Sequence, residues 1–539
     1  MTNLSDKYKD SLPFESGPTL TTITSNYNAN SGDTIFVNTA SSAINVTLPS
    51  SPTAGSKIKV LDISANAQNN NITVLGNGYN ISGASAYIIN APDSSVEVVY
   101  INSSKGWNVL NEYISLLPPG KATSISATDI GTSRGYNNGA ATVSFVAPTS
   151  GDEVDLYTVT STPGNYQASG TVSPIIVEGL QSNTSYTFTV TATNRAGSSV
   201  SNPSSSITAT TVPQAPSLSS VSYGYRKLTA LFSGQANGGK SITSFTMNAG
   251  LSNSTSGGSS PLTVSNLQAQ SYAVSITATN DNGVSQPSNG INQSTFDATG
   301  GTITTSGSYR IHTFTSTGVF ELLGNTTNCD YLVLAGGGGG GNSYGGGGGA
   351  GGLLTGTSTV NVSSNTITIG AGGGNTTTGN NSIAIGVTTN GGGYGGPSES
   401  NGGSGGSGGG AGGTGDVYRS PGSAITGQGY AGGSNYPEGG TGPSGGGGGA
   451  GGAGGGAGYR QGGGGGSGYT STISGASVTY AGGGGGGTIR GSAGGGGSGG
   501  GGSGGVNGGG SAGGANTGGG GGGYGNSGGS GIVIIRYLT

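Results

Sequence analysis

The chain carries a single cysteine, Cys329, among 539 residues, so no intrachain disulfide can staple it. It carries a single histidine, His312, and a lone histidine cannot build a His-based metal site. Charge is sparse: 16 Lys and Arg stand against 20 Asp and Glu, a net charge of -4. That balance gives no basic footprint for nucleic acid and no polybasic patch for a membrane surface. No lysine follows Lys240. No run is long and apolar enough to insert into a membrane as a helix. The opening residues, Met1 to Glu15, lack an apolar core segment and do not read as a secretory signal. The expectation is synthesis in a cytoplasm, with any exit by lysis or a signal-independent route. Leu, Glu and Lys are scarce, so strong helix signals are missing too.

Thr, Ser, Val, Ile, Asn and Tyr dominate instead. Short alternating runs bounded by Gly, Pro, Asn and Ser read as strands throughout, and the fold class expected is all-β and multidomain. Residues 1–19 form a polar lead segment. Residues 20–117 read as a β-module, with strands expected at 34–37, 44–48, 57–62, 71–75, 87–90, 96–101 and 107–110. The alternation in Lys57-Ile58-Lys59-Val60 and Val96-Glu97-Val98-Val99 implies one buried and one polar face. Trp107, the lone tryptophan, reads as a core anchor. The stretch from Gly32 (GDTIFVNT) to Leu110 (SSKGWNVL) resembles a small β-module recurrent in phage tail-fibre proteins. That resemblance implies attachment to other virion proteins, or stacking into a homo-oligomer such as a trimer.

Pro118-Pro119 marks a boundary, and a duplication follows. Residues 184–194 read TSYTFTVTATN and residues 270–280 read QSYAVSITATN. The copies, 118–213 and 214–297, have the length of a seven-stranded sandwich. They resemble fibronectin type III domains, with Tyr186 and Tyr272 at that family's tyrosine-corner position. Phe145 and Phe232 stand where the family has tryptophan on an early strand, and either ring can fill the same core site. The resemblance implies spacers, with a direct ligand-contacting role for their loops as the alternative.

Several motifs have chemical form without chemical context. Gly234 to Ser241 fits G-x-x-x-x-G-K-[ST], but the exit Ile242–Met247 alternates as a strand, where a phosphate-cradling loop requires a helix. Cys329 precedes the apolar run Tyr331–Leu334 and reads as a packed small hydrophobe. Only Glu399, Asp416 and Glu438 remain as acids after residue 335, so no paired carboxylates suggest glycoside cleavage. No cofactor is implied, and an enzyme is the least supported reading.

Residues 298–539 form the last region. Of 123 glycines, 97 lie in 301–539. His312–Thr315 and Gly318–Leu322 read as a hairpin, Tyr331–Leu334 as a strand, and Ile532–Tyr537 as a strong closing strand. The bland reading of such glycine runs is a flexible linker. Against it stand the apolar segments 365–369, 382–387, 477–480 and 532–537, which would aggregate if unpacked. Against it also stand 12 tyrosines in 301–539. The ordered alternative is polyglycine II, with three residues per turn and every backbone polar group pointing sideways. Tyr331-Leu-Val-Leu-Ala-Gly-Gly, Ile473-Ser-Gly-Ala-Ser-Val-Thr-Tyr-Ala-Gly-Gly and Gly531-Ile-Val-Ile-Ile-Arg-Tyr resemble the glycine-rich tips of phage tail fibres and adhesins.

That resemblance implies a virion-associated protein whose loops between glycine helices bind a host receptor. Carried onto the non-glycine loops here, the candidates are Tyr394, Tyr418, Arg419, Tyr430 and Tyr436, with Tyr459, Arg460, Tyr469 and Arg490. Tyr and Arg are the residue types that carry binding energy at such surfaces. The competing role for each is capping the bundle edge. A host surface glycan and an outer-membrane protein both fit as receptor. A structural capsid- or tail-decorating protein and a bacterial surface adhesin are the alternative functions.

Overall fold

The computed structural model describes residues 20–440 and 442–539; the lead segment 1–19 lies outside the described residues. Every regular element among the described residues is a strand. The chain divides into two units. One comprises the residues up to Ala215 with the loops Gly234–Thr243 and Ala278–Gln286. The other comprises Pro216–Ser233, Ser244–Thr277 and Pro287–Thr539.

In the first unit the chain alternates between two sheets. Leu20–Ile23, Thr34–Val37 and Lys57–Asp62 pair in parallel in one sheet. Tyr27–Asn28, Ile44–Thr47 and Ile72–Leu75 pair in parallel in the other. Each strand therefore lies beside one that is two positions away in sequence, as in a coiled solenoid. Antiparallel strands finish each sheet: Ser95–Asn102 and Gly106–Tyr113 on one, Ala86–Ile89 on the other. The inward residues Ile35, Val46, Ile58, Val60, Ile72 and Val98 close the core between them. Trp107 is fully buried there, edge-on to Tyr100 at 5.4 Å, in the anchoring role its sequence context implies. Asp62, also fully buried, accepts hydrogen bonds from the backbone N–H groups of Ser64, Asn66 and Ala67, each at 3.0 Å. It fastens the turn that carries the chain across.

A two-sheet sandwich follows. Thr123–Ile130, Gly139–Val146 and Ile175–Leu180 face a sheet built on Leu156–Thr162 and Thr184–Asn194. The Tyr186 hydroxyl accepts the Gln181 N–H at 3.0 Å, which is the tyrosine corner. Phe145 packs on Tyr157 with ring centres 4.7 Å apart, filling the place of the missing tryptophan. The same arrangement recurs in the second copy: the Tyr272 hydroxyl accepts the Gln268 N–H at 3.0 Å, and Phe232 meets Phe245 at 5.0 Å. The Gly234–Ser241 loop is a turn with Gly238 and Gly239 at φ +72° and +87°. Thr211 N–H donates to Gly238 O at 2.8 Å, and Asn280 Nδ2 donates to Thr211 O and Asn237 O at 2.9 and 2.8 Å. The loop leads into the strand Ser244–Ala249, so it lacks the helix that a phosphate-cradling loop requires.

In the second unit, a five-stranded sheet has the order Thr302–Ser306, Tyr309–Phe314, Ile532–Leu538, Thr327–Leu334, Leu353–Val360. The last strand in sequence is thus the middle strand in space. It is buried on both faces, which is why it reads as a nearly unbroken apolar run. Val533, Ile535 and Tyr537 face a core shared with the three-stranded sheet of Asp297–Thr299, Gly318–Leu323 and Ser363–Ile367. Ile532 and Ile534 face a second core with Ala350, Ile473 and Tyr480 from the glycine region. The expected hairpin of His312–Thr315 with Gly318–Leu322 is not formed. Tyr309–Phe314 pairs with Ile532–Leu538 and Gly318–Leu323 pairs with Ser363–Ile367, so the three residues between them cross from one sheet to the other.

Candidate functional site

Between Leu334 and Ile532 the glycine runs pack side by side, and their hydrogen bonds repeat every three residues. Gly346, Gly347 and Gly348 donate to the carbonyls of Gly396, Gly445 and Gly521 at 2.9, 3.0 and 2.8 Å. Gly349, Ala350 and Gly351 then donate to the same three runs, at Gly393, Gly448 and Gly518. Three further runs donate inward: Gly338 to Gly349 O, Gly410 to Gly347 O and Gly484 to Gly348 O, at 2.8, 2.8 and 2.9 Å. The 346–351 segment therefore sits among six neighbours. Three accept its N–H groups and three fill its carbonyls. This is the lateral pairing of polyglycine II, and it satisfies the backbone without secondary-structure ladders.

The packing explains the composition. A Cβ built on Gly347 would lie 2.0 Å from Gly484 O, and one on Gly348 would lie 2.0 Å from Gly338 O. Both contacts are with backbone, which cannot rotate away. At the rim the constraint lapses: a Cβ on Gly495 meets nothing within 4 Å.

Hydrogen-bond register divides the bundle into two ends. Leu353, Asn390, Gln428 and Tyr480 mark the end next to the five-stranded sheet, since Leu353 N–H donates to Gln428 O and Gly352 N–H to Asn390 O. Tyr344, Pro397, Thr414, Tyr436, Gly458 and Thr488 mark the other. Of the sequence candidates, Tyr418, Arg419, Tyr436, Tyr459, Arg460 and Arg490 come together at this far end. Tyr430 and Tyr469 lie at the sheet end, where they line one groove. Tyr394 belongs to neither: it is half-buried along the bundle side, its ring over Gly403, where an added Cβ would meet it at 2.5 Å.

At the far end, Tyr459 and Arg460 occupy a two-residue turn closed by Gly458 N–H to Gln461 O at 2.9 Å and Gln461 N–H to Gly458 O at 3.0 Å. Tyr459 is 63% exposed and Tyr418 68%. The Arg460 guanidinium lies 5.2 Å from the Tyr459 ring centre and 3.6 Å from Glu438 Oε1. The loop of Tyr418 and Arg419 is pinned by buried Asn435, which accepts the Arg419 N–H at 2.7 Å and donates to Val417 O at 3.1 Å. Tyr524 braces the same edge. Its hydroxyl donates to Thr488 O at 3.0 Å, its ring meets Tyr344 edge-on at 5.6 Å, and burial pushes its pKa up to about 12. Asn435 and Tyr524 escaped the sequence reading, because a lone Asn or Tyr among glycines does not announce whether it is a brace or a contact.

Of the 21 non-glycine residues with positive φ among the described residues, ten lie after residue 335, and seven of those ten are at this end. Ser343, Thr376, Glu399, Thr414, Arg460, Asn507 and Tyr524 all have positive φ, and all lie in far-end turns. Each accepts a penalty of about 1 kcal/mol that glycine would avoid, in a region where glycine is the commonest residue.

His312 and Cys329 are placed for packing. His312 is fully buried, with Nδ1 2.8 Å from Gly300 O and Nε2 3.1 Å from the Tyr537 hydroxyl. A carbonyl can only accept, so Nδ1 carries the proton and Nε2 receives the tyrosine hydroxyl. Desolvation lowers the His312 pKa and keeps the ring neutral. Burial, with Asp330 nearby, pushes the Cys329 thiol up to about 12.

Comparison with known proteins agrees with two of these regions. Residues 312–538 match the family model described as a glycine-rich domain, and residues 129–210 match the fibronectin type III domain. No curated protein matches the chain. Among solved structures, the FN1-FN3 domains of chicken CNTN1 are 15% identical, with a TM-score of 0.21, covering 46% of this chain and 92% of that one. A structure of titin kinase and its flanking domains is also 15% identical, with a TM-score of 0.15, covering 21% of this chain and 27% of that one. The chain is all-β, with a fibronectin type III domain and a glycine-rich domain as its recognised parts.

Proposed function

We propose that this chain is a virion-associated fibre or adhesin protein that attaches to a host cell surface through the far-end turns of its glycine bundle. The observation that carries the reading is the Tyr459-Arg460 turn. Arg460 holds φ +51°, a left-handed backbone that costs less with glycine, and its guanidinium lies beside the exposed Tyr459 ring. Around it, Tyr418, Arg419, Tyr436 and Arg490 supply aromatic and guanidinium groups on a backbone held by the bundle. Such groups bind at low entropic cost when they are already in place. In this reading the solenoid at 20–117 and the lead segment contact other virion proteins, and the type III sandwiches act as spacers.

The test is competition. Purified full chain at saturating concentration blocks attachment of the particle that carries it, and a Tyr459→Ala/Arg460→Ala double variant loses the block by about tenfold or more. Absence of any block by the wild-type chain refutes the reading. The alternative is a structural, decorating role in which these residues cap the bundle. It is favoured by the Glu438 pairing and the Tyr459 stacking, which already engage the Arg460 guanidinium. Capping predicts that the double variant lowers stability and leaves attachment alone.

A further inference from the structure

At the sheet end of the bundle, a groove of about 710 Å³ runs between the strand Leu353–Val360 and the hairpin of Tyr469–Ser471 with Val478–Tyr480. Its walls include Tyr430 and Tyr469, 50% and 40% exposed, with Thr355, Ser423, Gln428 and Leu354 between them. Its lining contains no Asp, Glu, Lys or Arg. We infer that this groove binds an uncharged oligosaccharide, at a site separate from the far-end turns.

Three features select that ligand class. The volume lies within the range of small-ligand sites, about 300–1,000 Å³. The two tyrosines give flat, partly wet ring faces suited to the C–H face of a pyranose, and hydroxyl and amide groups beside them suit its rim. The lack of ionised groups leaves a sulfated or sialylated glycan, or a charged peptide, with nothing to compensate its desolvated charge.

The walls are also fixed in advance. Gln428 is held at both ends of its amide: Oε1 accepts the Asn390 N–H at 2.8 Å and Nε2 donates to Asn390 Oδ1 at 3.2 Å. Tyr430 N–H donates to Gly449 O at 3.1 Å and its carbonyl accepts Gly408 N–H at 3.0 Å. At the inner end of the groove the Leu353 N–H is already taken by Gln428 O at 3.0 Å, so a peptide strand finds no backbone donor at that residue.

The inference rests on the attachment reading for its biological use and not for its chemistry, and the test separates the two. Saturation-transfer NMR on the full chain uses neutral glucose, galactose and N-acetylglucosamine oligosaccharides, with sialylated and sulfated oligosaccharides and an uncharged peptide as competitors. A neutral oligosaccharide binds, Tyr430→Ala or Tyr469→Ala weakens it by about tenfold or more, and Tyr459→Ala has no effect. Tyr430→Phe and Tyr469→Phe retain binding, because the ring face remains, and so guard against misreading a folding defect. Failure of every neutral oligosaccharide to bind, preference for a charged one or for the peptide, or equal binding by both alanine variants overturns the inference. None of these results bears on the competition assay, which reads the far-end turns.

Discussion

At the residue scale, glycine is required position by position, and the requirement can be measured. Gly348→Ala places a methyl 2.0 Å from the Gly338 carbonyl, so it lowers stability by at least about 2–3 kcal/mol in chemical denaturation of the glycine region. Gly495→Ala, at an open rim position, stays within about 0.5 kcal/mol. If the two variants behave alike, the bundle packing described above is wrong. Arg460→Gly is the complementary experiment. It removes the left-handed strain together with the contact to the Tyr459 ring and an ion pair to a mostly buried Glu438, so stability changes by no more than about 1 kcal/mol while attachment falls. Cys329 gives a third reading: with its thiol held near pKa 12 in a sealed core, it resists a thiol reagent in the native protein and reacts at once in denaturant.

At the scale of elements, the strands of the first module were legible from alternation nearly to the residue, as at Thr34–Val37 and Lys57–Asp62. Their partners were not. A period of two tells which face is buried, and it is silent on whether the neighbour is the next strand or the one after. The mistaken hairpin at 312–322 has the same origin. Two apolar strands a few residues apart look like a hairpin, but Tyr309–Phe314 finds its partner more than two hundred residues away. In the glycine runs, the threefold repeat has no letters to show it, since each position is the same residue. The candidate contacts were legible for the opposite reason: Tyr and Arg stand out against glycine. Which end of the bundle each occupies depends on hydrogen-bond register, and that separates Tyr430 and Tyr469 from Tyr459 and Arg460.

His312 links two elements and makes their pairing sensitive to acid. Its folded pKa is below that of the exposed ring, so the unfolded chain takes up the proton more readily. The stability it contributes is complete above the ordinary histidine pKa of about 6.5. It is lost as the pH falls through the depressed folded value. Thermal unfolding of the second unit therefore drops as the pH falls below about 6.5, and a His312→Gln variant flattens that slope. An equal slope in both proteins removes His312 as its cause.

At the scale of the molecule, the parts divide the work that a single core would otherwise do. The solenoid and the sandwiches rest on apolar cores. The glycine region rests on backbone pairing, joined to an apolar sheet through Ala350, Ile473 and Tyr480. Because that pairing needs no side chains, the rim residues are free to vary without disturbing what lies beneath. Replacing the Tyr418-Arg419 and Tyr459-Arg460 pairs together by Ser-Ser leaves the melting temperature of the second unit nearly unchanged. A large drop would reassign those pairs to the scaffold.

The middle position of Ile532–Leu538 in its sheet carries a consequence for synthesis. Tyr309–Phe314 and Thr327–Leu334 both pair with Ile532–Leu538, so the five-stranded sheet cannot close until the whole glycine-rich stretch between Leu334 and Ile532 has been made. A stop between Leu334 and Ile532 therefore removes the strand that joins Tyr309–Phe314 to Thr327–Leu334 and leaves that sheet in two halves.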